Sequence, residues 1–204
     1  MRSYRVLARW MGIPIFWHWS IFLCLPWFYW QSRGIYDTVI MFFSYFLLLA
    51  AHELGHAVIA IRRKTNVKSI RLFILHGECH HDETYCEVDD VYIAWGGIFA
   101  QLIILFIALF LNIALSALFP WLQPWLKPIF WVFIKLNIIT IVFNLIPVAP
   151  LDGHKAWRAI PLLKGWLQPK WRQIFLERKR KKKKMLQAES ERVTAEIIEK
   201  LKRK

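Results

Sequence analysis

Four stretches of this chain, at 13–31, 38–61, 91–119 and 129–148, are apolar over nearly the length of a bilayer crossing. A helix needs roughly 20 such residues to span hydrocarbon. With 57% hydrophobic and only 21% charged side chains in 204 residues, the chain has more apolar surface than a soluble domain of its size can bury. The expectation is an all-α polytopic membrane protein with about four transmembrane helices. Trp10, Trp17, Trp30, Trp95, Trp121 and Trp125 fall near the ends of these runs, where amphipathic rings favour the headgroup level.

The formal net charge of +14 first suggests nucleic acid, but the placement of the charge excludes that partner. Arg2, Arg5 and Arg9 precede the first run, Arg62, Arg63, Lys64, Lys68 and Arg71 follow the second, and a Lys/Arg-rich tail follows the last. The opposite loops offer Arg33 and Lys127. The positive-inside rule then puts both termini in the cytosol. The first run carries Pro14, His18 and Pro26 and lacks a small-residue cleavage site, so it is expected to stay in the mature protein. Cys24, Cys79 and Cys86 lie in a span or a cytosolic loop, and no structural disulfide is expected.

Between the second and third runs, residues 67–75 read VKSIRLFIL, a partial alternation that predicts a short strand or half of a hairpin. The acidic stretch behind it, with Glu78, Asp82, Glu83, Glu87, Asp89 and Asp90, is expected to face water or a cavity. Residues 155–171 predict an interfacial helix. The run RKRKKKK at 178–184 is followed by Leu186, Val193, Ile197 and Leu201 at helical spacing. A membrane-embedded core over 1–163 and a basic amphipathic helical tail over 164–204, cytosolic and resting on anionic lipid headgroups, describe this organisation.

Within the second run stands AAHELGHAVIA. On a helix His52 and His56, four apart, lie one above the other, so both imidazoles can reach one metal ion. Glu53 is rotated from His52 by about 100°, near the metal without needing to bind it, which suits a general base. Two histidines and a glutamate inside a span are costly unless they do something there. Gly55, Ala57 and Ala60 allow neighbouring helices to approach. A catalytic zinc typically takes a third protein ligand. Among the later carboxylates, Asp152 alone follows directly on an apolar run, in NLIPVAPLDGHKAW, where Pro147 and Pro150 break the helix. Broken backbone at membrane depth is tolerated where it lines a cavity.

HELGH in a span together with NLIPVAPLDG near the end of a later one resembles the site-2 protease family of intramembrane zinc metalloproteases, over roughly 11–163. The resemblance implies one zinc held by His52, His56 and Asp152, Glu53 as the base, and a polar role for Asn144 near the reacting carbonyl. Gly96 and Gly97 loosely match the family's small-residue turn, and Gln101 falls near where the family often places an amide. The implied activity is hydrolysis of peptide bonds in or near transmembrane segments of single-span membrane proteins, in the cytoplasmic membrane of a bacterium. The family's PDZ or nucleotide-sensing modules have no room here, so a minimal core is expected. A non-proteolytic adaptor that binds transmembrane helices is the alternative; the intact Glu53 argues against it. His154 departs from the family's usual DGG and is expected to be a spectator or an outer donor. His76, Cys79, His80, His81 and Cys86 match no zinc spacing and predict a polar loop at the cavity mouth. His18 and Lys135 are expected to pack against protein or to snorkel. An extended substrate is expected to add to the strand at 67–75.

Overall fold

The computed structural model describes residues 4–74, 77–84 and 86–166, with 177, 183–187 and 190–191 of the tail. Most of the tail expected over 164–204, and His76 of the polar loop, therefore lie outside the described residues. Three stretches are helical, long and apolar enough to cross a membrane: α2 (Ile35–Arg62), α3 (Glu87–Leu118) and the continuous helix Pro120–Asn144. Within the last, α4 (Gln123–Phe130) passes through a π-helical stretch, Trp131–Leu136, into α5 (Asn137–Asn144). Pro128, which lacks a backbone donor, lies just before that stretch.

The run at 13–31 departs from the expected single helix. It forms strand β2 (Ile13–His18), a 3-10 stretch (Trp19–Cys24) and the short helix α1 (Leu25–Gln31). Its first residues alternate, with Ile13 and Ile15 buried, and are rich in the β-branched and aromatic types that pack on a sheet. The strand stops where the His18 ring accepts from the Ser20 amide at 3.2 Å and caps the following turn. The contour of these pieces is about 40 Å, close to that of the 28-residue α2. The run therefore has the contour of a spanning helix but is built from strand, 3-10 turn and a short helix.

β2 pairs antiparallel with β1 (Tyr4–Trp10) and parallel with β3 (Val67–Leu72), and β3 pairs antiparallel with β4 (Gly77–His81). The sheet order is β1-β2-β3-β4, so β3 is internal and β4 is an edge. Val67, Ile70 and Leu72 join Ile13 and Ile15 of β2 and Leu48, Leu49, Ala57 and Ala60 of α2 in one core. Tyr45 Oη donates to the Ile74 carbonyl at 2.5 Å, which ties the end of the sheet to α2 about 25 Å from Arg62. The sheet thus reaches the depth of the HELGH residues.

α2 and α3 cross where Gly55 meets Gly96, close enough that a Cβ on Gly96 would stand 2.6 Å from the Gly55 carbonyl oxygen. At the sheet end of this pair, Arg63 grips Asp89 through Nε at 2.6 Å and Nη2 at 2.5 Å, and its guanidinium lies 4.7 Å from the Tyr92 ring centre. Asp89 is 1% exposed. It is thus a buried ion-pair partner, where the sequence suggested a side chain facing water or a cavity.

Candidate metal centre

The i, i+4 spacing on α2 brings the His52 and His56 rings edge to face, with Nε2 atoms 3.0 Å apart. Asp152 Oδ2 stands 3.1 Å from one Nε2 and 3.2 Å from the other. Zinc–nitrogen and zinc–oxygen bonds of 2.0–2.1 Å at tetrahedral angles separate neighbouring ligand atoms by about 3.3 Å. The triangle is that of three tetrahedral ligands. His56 Nδ1 donates to the Ile93 carbonyl at 2.6 Å, and His52 Nδ1 faces Gln101 Oε1 at 3.1 Å. These acceptors place the imidazole protons on Nδ1 and leave both Nε2 lone pairs facing Asp152. Asp152 Oδ2 is accordingly a buried oxygen with no hydrogen-bond donor among the described residues. Two lone pairs and a carboxylate turned toward one point repel unless a cation joins them, so the donor set fits a metal ion.

Glu53 also falls within reach of the two histidines, but its Oε1 is 4.0 Å from His52 Nε2, too long for an edge of the same tetrahedron. Of the two carboxylates, Asp152 has the spacing of a third ligand to the histidine pair, and Glu53 stands beside them. It is 2% exposed. Its carboxyl lies against the backbone at the first residue of β4, where any Cβ on Gly77 would overlap it. Gly97 on α3 plays the same part for the histidines, since a Cβ there would come within 2.5 Å of His56 Nε2 and 2.6 Å of His52 Cε1.

α5 and the segment after it deliver the remaining groups. Asn144 ends α5 with Nδ2 at 3.5 Å from His52 Nε2 and 3.4 Å from Gln101 Oε1. Asp152 begins α6 (Gly153–Ala156), which α3 holds through Trp95 Nε1 donating to the Ala156 carbonyl at 3.2 Å and through Asp90 facing Lys155 at 3.6 Å. Beneath them, Gln101 Nε2 donates to Thr140 Oγ1 at 2.9 Å and Asn137 Nδ2 to the Gln101 carbonyl at 2.9 Å. Asn137 and Thr140 were missed at the level of sequence. Their signal was a polar stripe, 137, 140 and 144, on one face of an apolar helix.

All five predicted site residues, His52, Glu53, His56, Asn144 and Asp152, line one cavity of about 930 Å³. His154 is exposed and stands outside the cluster. Of the polar loop, His80 pairs with Glu78 at 2.9 Å, and Cys79 faces the cavity. Burial first, and then the Glu53 carboxylate, push the Cys79 thiol up to about 12.

No family model matches the chain. Rip3 of Mycobacterium tuberculosis, which its name assigns to the zinc metalloproteases, is 30% identical over 178 residues, covering 78% of this chain and 44% of its own length, in both the Erdman and H37Rv strains. The site-2 protease of Methanocaldococcus jannaschii superposes with a TM-score of 0.59 at 24% identity, over 79% of this chain and 73% of that one. The chain belongs to the site-2 protease family. It spans a little under half the length of Rip3. The site-2 protease likeness describes the fold, and within that fold the triangle of His52, His56 and Asp152 stands at the α2–α3 crossing.

Proposed function

We propose that this chain is an intramembrane zinc metalloprotease that hydrolyses peptide bonds in or beside transmembrane segments of membrane proteins, single-span substrates above all. The observation that carries this is the buried triangle of His52, His56 and Asp152 with the Glu53 carboxylate beside it. His52 lies about 15 Å along α2 from Arg62 and about 25 Å from Ile35, well inside the apolar run.

His52, His56 and Asp152 would hold a zinc ion, whose Lewis acidity would serve the attacking water and the reacting carbonyl. Glu53 takes the proton of the attacking water and returns it to the leaving amine. Asn144 Nδ2 donates to the carbonyl oxygen as charge develops on it. Asp152 and the two histidines keep their positions through Gln101, the Ile93 carbonyl and the α3–α6 contacts, so the site needs little rearrangement during the reaction.

A substrate must be extended before its carbonyl is accessible. β3 is flanked on both sides, so the addition expected at 67–75 has no free edge there. β4 is the open edge, and Gly77, Glu78, Cys79 and His80 line the catalytic cavity. Strand addition on β4 lays a substrate across Glu53 and the ligand triangle. The chain sits in a bacterial cytoplasmic membrane with both termini inside, its basic tail on anionic headgroups.

The test uses the purified chain in vesicles with a single-span substrate. Wild type is expected to carry one zinc and to cleave; Glu53→Gln keeps the zinc and loses at least about 100-fold in rate; Asp152→Ala loses the zinc. Cleavage at the normal rate by Glu53→Gln would sink the mechanism, and a wild type that binds the substrate without cutting it would point to an adaptor.

A further inference from the structure

The catalytic cavity opens sideways. Leu23 and Trp27 on one side and Ile139 and Phe143 on the other both line it and are exposed. The opening therefore lies between the 3-10/α1 segment and α5, and Trp27 against Trp131, ring centres 5.6 Å apart, closes its far end. Lys135 lies on the same helix between Trp131, which meets Trp27, and Ile139, which lines the cavity. It is exposed, one turn after Trp131 and one turn before Ile139 on the same stripe of the helix. Among the described residues it has no hydrogen bond or ion pair. It also lies nine residues before Asn144, about 13 Å along the axis from the catalytic layer toward Pro120.

A lysine this deep in a span is costly unless hydrated or paired. With lipid at the opening its ammonium can snorkel toward the Pro120 end. A membrane segment lodged between α1 and α5 covers that route and strips the ammonium of water. The cost is offset only if the incoming segment carries the opposite charge. A second copy of this chain does not supply one at that depth: on its described spanning helices the carboxylates are Asp37 at one end of α2, Glu87, Asp89 and Asp90 at the start of α3, and the buried Glu53.

We infer that Lys135 is a specificity residue, selecting membrane segments that bear a carboxylate about 13 Å from the scissile bond on the Pro120 side. That offset corresponds to about four residues of extended chain or about nine of helix. The inference rests on the proteolytic reading, but its readout is binding, so the two fail separately.

The experiment measures energy transfer between the Glu53→Gln chain and labelled single-span peptides in phosphatidylcholine vesicles, with one Asp moved through the peptide and an Asn peptide as partner at each position. One register four to nine residues from the cut is expected to favour Asp over Asn by at least about tenfold. Lys135→Gln erases that ratio, Lys135→Arg restores it, and Lys135→Glu shifts the preference to a Lys peptide at the same register. Equal binding of Asp and Asn peptides at every register, or a preference that survives Lys135→Gln, overturns the inference. Failure of wild type to cut any of the peptides it binds counts against the proteolytic reading and leaves the binding result standing.

Discussion

At the scale of single residues the metal centre is set by what stands behind each ligand. His52 and His56 are local in sequence, and their i, i+4 spacing is readable without a structure. Asp152 is readable because it follows a proline-broken apolar run. Their supports are less visible. The acceptor for His56 is the Ile93 main-chain carbonyl, which any residue carries, so no side-chain pattern could reveal it. Gln101, by contrast, is a buried amide, 3% exposed, that faces His52 Nδ1 and donates to Thr140. Gln101→Leu removes the acceptor that fixes the His52 tautomer while keeping a similar volume. Zinc affinity, read by competition with a chromophoric chelator in detergent, is expected to fall about 10- to 100-fold. Retention of wild-type affinity would mean that α2 alone orients the ring. Thr140→Val, one step further out, is expected to have a smaller effect in the same assay.

At the scale of elements, hydropathy found the three long helices and misjudged the first apolar run as a fourth. A strand covered by protein and a helix facing lipid draw on the same apolar residues, so the composition of 13–31 could not separate them. The alternation of Ile13 and Ile15 was the local sign of β2. The strand at 67–72 was legible, but its partners on both sides were not, because β2 reaches it only after a crossover through α1 and α2. That pairing decides which edge is open. Proline scanning from Glu78 to His81 is expected to lower cleavage at least about tenfold at the positions whose N–H faces the open edge, while zinc content stays at wild type. Full activity at every position would remove β4 as the substrate strand. A separate element-level device is the grip of Arg63 on Asp89, joining the end of α2 to the start of α3. Arg63→Leu leaves a buried carboxylate without its main cation. Because Arg63 is itself partly exposed, the expected loss is roughly 2–3 kcal/mol, measured from unfolding midpoints in mild detergent.

For the whole molecule, hydropathy predicts about four crossings, and among the described residues three helices are long and apolar enough to make one. Strand, 3-10 turn and α1 together carry the chain from the sheet to the start of α2. The sheet that holds β1, with Arg5 and Arg9, is the one that holds β3, with Lys68 and Arg71, and it packs along α2 from Ala60 to Tyr45. Basic residues that lie far apart in sequence are thus brought into one sheet by strand pairing, with Arg5 and Arg71 toward its Trp17–Leu72 end. At the opposite end, Arg33 precedes α2, and Tyr36 meets Trp125 with ring centres 5.6 Å apart. α6, carried by α3 beside Asp90 and Trp95, returns the chain to the basic side after α5 has ended at the metal centre. Orientation can then be read from two positions in a chain whose Cys24, Cys79 and Cys86 are replaced by alanine. Arg33→Cys is expected to react with a membrane-impermeant maleimide in intact cells, and Arg62→Cys only after permeabilisation. The reverse pattern would place the sheet, the β4 edge and both termini on the outer face, and substrates would have to present their extended segment from that side.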